Sequence, residues 1–326
     1  MLLRIAQGIG VGGEWGGAVL MSVEHAPPNR RGFFGSWPQM GVPAGLFLST
    51  VVFLIMQQTT SDAAFLAWGW RVPFLLSVVL IAIGLFVRLR LYESPAFQRV
   101  KETRTEAPMP ILDVLRKYPR EVLLAMGMRI AENGTFYILT VWVLVYGNEQ
   151  LELPKSTMLW GVTIAALIGL VTIPFYGALS DRLGRRPLYL GGALFSLVFA
   201  VPFFWLVNTK SAVLIWLAIV LGVNVGHDLM YGPQAAFFSE LFGTRVRYSG
   251  ASLGYQLASV FAGGFAPLVA AALLKAWDWP AVALYMAAMA AITVVATWLA
   301  TETHRSDIHA DDLRERELVG AGDRRG

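Results

Sequence analysis

Gly177-Ala178-Leu179-Ser180-Asp181-Arg182-Leu183-Gly184-Arg185-Arg186-Pro187 stands between two long apolar runs, near 157–178 and 187–207. Gly177 and Gly184 permit a tight turn between two helices. Asp181 can face a helix N-terminus, and the arginine cluster can pair with acids at helix ends. Such a charge relay can latch two helix bundles and release when they rearrange. The apolar runs on either side are each about the length a bilayer-crossing helix needs, roughly 20 residues.

The same alternation of apolar runs and short polar breaks extends in both directions. Spans are expected near 2–22, 36–56, 70–88, 121–146, 157–178, 187–207, 212–236, 250–273 and 279–300. The composition agrees: of 326 residues 56% are apolar and only 15% charged, against about 25% charged in an ordinary soluble domain. Mean hydropathy is +0.56. A disordered chain, a collagen-like chain and a typical soluble enzyme are excluded. The fold class is therefore an all-α polytopic membrane protein.

Domain organisation follows from one long polar segment. Residues 1–90 form a partial N-terminal bundle of three helices. Residues 91–120, with Pro95, Pro108, Pro110 and Pro119, form a linker with some amphipathic helix. Residues 121–300 form a six-helix bundle. Residues 301–326 form a solvated, partly disordered tail to which no chemical role is given.

Charge placement sets the orientation. Of the 26 Lys and Arg, 20 fall in the breaks after spans one, three, five, seven and nine, and 4 in the other breaks. Arg4 and Arg129 lie inside spans. This asymmetry puts the linker and the C-terminus in the cytoplasm, with the first span starting outside.

Enzyme chemistry has little to work with. There is no cysteine, so no disulfide, thiolate nucleophile or Cys-based metal site. His25, His227, His304 and His309 show no metal-binding spacing, and no G-x-S-x-G or H-E-x-x-H string is present. No secretory signal peptide opens the sequence. The expectation is no enzyme, no metal, no cofactor and no nucleic-acid partner.

The intramembrane polar residues point to transport. Arg129 lies about 12 Å and Glu132 about 16 Å along a helix entered near Glu121, close to the bilayer midplane where transporter sites lie. Arg129, Glu132 and Asn133 share a helix face, continued by Phe136 and Thr140. A buried guanidinium fork matches a carboxylate; an Arg–Glu pair neutralising itself is the plainer alternative. Asn224, His227, Asp228 and Tyr231 share a second face, on which Asp228 is a candidate proton carrier, or else part of a packing network. Ser252, Gln256 and Ser259, with Tyr255 alongside, could bond substrate hydroxyls. Glu14 is a third intramembrane acid. Gly8, Gly12 and Gly16, and Gly13 and Gly17, are spaced for close helix approach. Glu240, Arg245 and Arg247 read as a loop network, and Trp68, Trp70, Trp277 and Trp279 as an interfacial belt.

The G-x-L-S-D-R-x-G-R-R string of 177–186 resembles the signature loop of the major facilitator superfamily. Arg4-Ile5-Ala6-Gln7-Gly8 and Gly12-Gly13-Glu14 resemble its fourth helix, which implies that Arg4 lies near the substrate path. Gly12–Ala18, Trp68–Ser77, Glu93–Phe97 and Thr244–Gln256 are similar to the metabolite:proton symporter family within it. Members carry small polar metabolites, often carboxylates such as shikimate, 2-oxoglutarate and citrate, or betaines and proline, together with protons.

The resemblance implies helices 4–12 of a twelve-helix fold and a monomer taking a shikimate-like or other carboxylate, driven by the proton gradient. Substrate would be bound by Arg4, Arg129, Asn133, Tyr137 and Gln256. Glu14, Glu132, His227 and Asp228 would couple the proton, and Asp181, Arg182, Arg185 and Arg186 would gate. Two alternatives stand beside it: a non-transporting N-terminally truncated fragment, and a symporter for a zwitterion such as a betaine or proline.

Overall fold

The computed structural model describes residues 2–90, 110–243 and 246–305. Every regular element among them is helical. The first three long helices are α1 (Leu2–Glu24), α2 (Arg31–Thr59) and α4 (Val72–Arg90), with the short α3 (Asp62–Ala67) between α2 and α4. Ser61 caps α3 by accepting the Ala64 amide at 3.3 Å. A short helix α5 (Pro110–Lys117) leads into α6 (Pro119–Tyr137), which continues through a π-helical stretch at Ile138–Trp142 into α7 (Val143–Glu149). Then come α8 (Lys155–Leu183), α9 (Arg185–Asn208) and α10 (Ala212–Val220). A second π stretch, Leu221–His227, joins α10 to α11 (Asp228–Glu240). Finally α12 (Arg247–Ala258) runs through a third π stretch, Ser259–Gly264, into α13 (Ala266–Leu299).

The expected spans are all helical, and α13 holds parts of two of them. Its break falls at Trp277 and at Asp278, which adopts φ +62°. That geometry is costly for a non-glycine residue and ends one helical run before the next begins. Among the described residues, five stretches are long and apolar enough to cross a membrane by length and composition alone, the last of them the 53 residues 247–299 that contain this break. The amphipathic helix expected in the linker is α5. Residues 91–109, with the Glu93–Phe97 string, lie outside the described residues, as do Arg245 and residues 306–326.

The main core belongs to the bundle from α6 onward, where Met128, Ile138, Phe203, Phe204, Phe237 and Phe238 are fully buried. Val198, Trp205 and Leu284 point outward, as apolar residues do on a membrane protein. Helix α2 packs along α8, and α1 packs on α2, α11 and α12. Val19 and Val23 of α1 meet Ala235 and Ala236 of α11 in a second, small apolar cluster. Of the expected belt, Trp68, Trp70 and Trp277 are exposed, whereas Trp279 stacks on Phe204 at 5.7 Å.

Two glycine expectations need correcting. Gly184 does make the turn, at φ +104°. Gly177 lies inside α8 and serves a helix crossing instead: a Cβ there would come within 2.6 Å of the Gly32 carbonyl on α2. In α1, Gly16 is the packing glycine, against Ser252 and Tyr248, whereas a Cβ on Gly8 or Gly12 would meet nothing within 4 Å.

Candidate functional site: a buried charge cluster and a basic-face latch

Two of the three π stretches, Leu221–His227 and Ser259–Gly264, border one polar cluster deep in the bundle. A π turn widens the helix and reorients the side chains that follow it, and such turns concentrate at functional sites. Here His227 closes one such stretch and Ser259 opens another, and both side chains belong to the cluster.

Arg129 and Glu132, one turn apart on α6, form an ion pair with both side chains buried. Arg129 Nε donates to Ser259 Oγ at 3.1 Å, and Nη1 donates to Gln234 Oε1 at 2.9 Å as well as to Glu132. Its guanidinium carbon lies 3.2 Å above the ring of Tyr255, a cation–π contact in a desolvated setting. Gln234 Nε2 donates to Glu132 at 3.0 Å and to the Tyr189 hydroxyl at 2.7 Å.

His227 links this pair to Asp228. Its Nε2 is 3.1 Å from Glu132 Oε1, and its Nδ1 is 2.8 Å from Asp228 Oδ1. Asp228 Oδ2 accepts from Thr172 Oγ1 at 2.5 Å and from Asn224 Nδ2 at 2.8 Å. Phe136 and Tyr231 hold the imidazole, each with ring centroids 4.7 Å away. A neutral imidazole has one N–H and two carboxylate neighbours, so it can satisfy only one of them. One further proton, on the ring or on a carboxyl group, satisfies both. It also makes the cluster electrically neutral, because Arg129 alone faces two acids.

The expected residues divide. Arg129, Glu132, His227 and Asp228 are joined in one network. Asn133 lies on the same face of α6 with its Nδ2 buried and without a hydrogen-bond partner, pressed against Gly263. Tyr137, one turn further, is 39% exposed. Gln256 turns the other way and donates to the Gly12 carbonyl at 3.2 Å, so its amide joins α12 to α1. Glu14 is exposed on α1, and the Arg4 side chain lies outside the described residues.

Several members were not singled out from the sequence. Gln234 continues the face of His227 and Tyr231 by one more turn, and following that face further would have found it. Gln39, a lone amide within an apolar span, carried the general warning that intramembrane polar groups are functional. Thr172 and Tyr189 gave no such signal.

A small cavity lined by Pro43, Leu46, Phe136, Thr140, His227 and Asp228 opens between α2 and the bundle. It reaches Asp228 from the side away from the signature loop.

The signature loop itself closes the other face. The Asp181 carboxylate accepts the Gly32 and Phe33 amides at 2.8 and 2.9 Å, capping the N-terminus of α2. Arg185, fully buried, spans Asp181 at 2.7 Å and Glu240 at 3.1 Å. Arg186 donates to the carbonyls of Thr297 (3.2 Å) and Trp298, and Arg182 is exposed. Arg247 donates to the Ser239 and Phe242 carbonyls and pairs with Glu24 of α1 at 3.2 Å, as expected of a loop network.

The start of the tail also enters the latch, contrary to the expectation of no role. Glu302 accepts the amides of Arg185 (2.9 Å) and Arg186 (3.0 Å) at the start of α9. Partial burial raises the pKa of its carboxyl, and four backbone N–H groups outweigh this and hold it below the usual glutamate value. Thr303 donates to Glu240 at 2.7 Å.

Known proteins resemble this chain in sequence and in fold. Residues 1–263 match the family model described as Major Facilitator Superfamily. The chain is 38% identical over 312 residues to the inner membrane metabolite transport protein YhjE of Escherichia coli (strain K12), covering 94% of this chain and 71% of that protein. It is 39% identical over 311 residues to the shikimate transporter of the same strain, covering 93% and 70%. Among solved structures, the proton:xylose symporter XylE bound to 6-bromo-6-deoxy-D-glucose superposes with TM-score 0.69 at 18% identity, over 88% of this chain and 67% of that one, a likeness of fold. The helical architecture, the latched signature loop and these relatives agree: this chain belongs to the major facilitator superfamily of membrane transporters.

Proposed function

We propose that the chain moves a small carboxylate metabolite together with a proton by alternating access, as a multi-pass inner-membrane monomer needing no bound cofactor. The basic face and the C-terminus would lie in the cytoplasm, as the Lys and Arg asymmetry implies. Arg129 would receive the carboxylate, with Asn133 and Tyr137 beside it, and Arg4 is a further candidate contact. Glu132, His227 and Asp228 would hold the proton, a role also open to Glu14. Asp181, Arg185 and Arg186 would form the cytoplasmic gate, with Arg182 at its rim.

One observation carries this reading: two buried carboxylates share one imidazole and face one guanidinium. The cluster is neutral with one extra proton. A substrate carboxylate that takes over Arg129 adds one negative charge, and a second proton restores neutrality. Charge is costly at the membrane midplane, so anion and proton are favoured to travel together.

The test is uptake of radiolabelled shikimate by proteoliposomes containing the whole chain, with and without an inward proton gradient. Gradient-stimulated uptake that disappears in Arg129→Ala supports the proposal. Uptake indifferent to the gradient removes proton coupling, and wild-type uptake in Arg129→Ala removes that residue from the site.

A second reading keeps the mechanism and changes the cargo. The chain is 34% identical over 285 residues to the proline/betaine transporter of Escherichia coli (strain K12), covering 84% of this chain and 56% of that protein. Aromatic faces near the cluster could hold a quaternary ammonium group. Inhibition of shikimate uptake by glycine betaine, or betaine uptake in its place, would favour that reading.

A further inference from the structure

Five helices meet in a closed ring of contacts around Arg129. Its guanidinium lies on the ring of Tyr255 of α12. The other side of Tyr255 stacks on Trp15 of α1, with centroids 3.6 Å apart and planes at 18°. Trp15 Nε1 donates to Gln39 Oε1 of α2 at 2.8 Å. Gln39 Nε2 is 3.4 Å from Gln234 Oε1 of α11 and from the Tyr231 carbonyl. Gln234 Oε1 in turn accepts from Arg129 Nη1 at 2.9 Å, which closes the ring. Gln39 and Gln234 are buried to within 1%, so neither amide has water to fall back on.

Gln234 Oε1 is thus shared by two donors, one the central arginine and the other α2. An arginine drawn toward an incoming anion leaves Gln234 and shifts on Tyr255, so both routes to the α1–α2 layer change at once. The apolar cluster that α1 forms with α11 is small, at Val19, Val23, Ala235 and Ala236; α2 packs on both α11 and α8, and the cavity leading to Asp228 has α2 as one wall.

We propose that Trp15 and Gln39 are positioning residues through which the α1–α2 layer responds to the engagement of Arg129. Displacing the arginine loosens α2 from α11 and alters access to Asp228. The link to substrate rests on the transport reading above; the mechanical link between Arg129 and α2 does not.

The chain has no cysteine, so two introduced cysteines report one distance. Nitroxides at Leu48→Cys on α2 and Val198→Cys on α9, both exposed, are measured by pulsed electron resonance on the whole chain in nanodiscs without ligand. A net buried hydrogen bond is worth roughly 1 kcal/mol, so Gln39→Met and Arg129→Gln are each expected to change the ratio of short to long separations about fivefold. The double variant is expected to change it no more than either single variant, because both act through one ring.

Trp15→Phe keeps the stack and removes the indole N–H. It is expected to give a smaller shift in the same direction, and it decides the matter if Gln39→Met does not fold. A distance distribution unchanged in Gln39→Met, or in Trp15→Phe where that variant must decide, overturns the proposal. So does a double variant whose shift equals the sum of the singles. Because no substrate is present, failed shikimate uptake would count against the transport reading and leave this result standing.

Discussion

Arg129 and Arg185 are both buried arginines paired with an acid on the same stretch of chain, Glu132 three residues on and Asp181 four residues back. Both also reach another helix, Arg129 through Gln234 and Ser259 and Arg185 through Glu240. Their surroundings differ. Around Arg185 the acids also take backbone amides, two at the start of α2 by Asp181 and two at the start of α9 by Glu302. Charge there is balanced by groups that do not titrate. Around Arg129 the second acid is reached through His227, whose imidazole can carry one N–H or two and lies between two carboxylates. The difference separates a latch, which holds helices together, from a cluster able to take up a proton.

The largest effect tests that distinction directly. Arg185→Ala strands Glu240, which is fully buried, and is expected to cost about 3–5 kcal/mol of stability. Arg129→Ala leaves Glu132 beside His227, where a proton can compensate, so its stability loss should be clearly smaller while uptake is lost. Thermal unfolding of both variants in detergent measures this. Equal losses would erase the contrast between the two arginines.

Asp228→Asn sharpens the other half of the comparison. It removes one acid, and the cluster is then neutral without the extra proton. Substrate exchange across the membrane is expected to persist, while accumulation driven by an inward proton gradient falls to the level of exchange. Accumulation at the parent level would take the proton away from Asp228.

Gly177→Val acts on the latch through packing rather than charge. The added side chain meets the Gly32 carbonyl at the α2–α8 crossing, for an expected cost of about 1–3 kcal/mol. An unchanged melting temperature would show that the crossing is loose.

Glu302→Gln gives the smallest effect, within about 1 kcal/mol, the usual range for a helix cap. Its pH dependence has a definite sign. Glu302 is held below the usual glutamate value in the folded chain. Its contribution is therefore full above the unfolded-state value and lost as pH falls through the lower folded one. The difference in melting temperature between parent and variant should close on acidification, and a difference that widens would contradict the cap.

Much of this was legible along the chain because the membrane imposes strong local rules. A span must be long, apolar and helical, so the helices could be placed from apolar runs alone. The signature loop was readable because its glycine and charges sit close together in sequence. Arg129 and Glu132, and His227 and Asp228, were readable because neighbours on one helix are fixed by its period. Gln39, Thr172, Glu302 and the turn of Gln256 toward α1 were not. Each depends on a partner at least 50 residues away, and helix periodicity says nothing about which faces of two helices meet.

The sequence by itself determined a helical membrane chain, the positions of its long helices and two short strings of charge in apolar surroundings. Only the tertiary structure decided that the two strings on α6 and α11 form one cluster, that Gly177 serves a helix crossing, and that the start of the tail caps α9. The reason is physical. Hydropathy and helix period act within a segment of the chain, whereas the pairing of buried charges is settled by which helices pack together, and burial leaves each charge no partner but the one packing supplies.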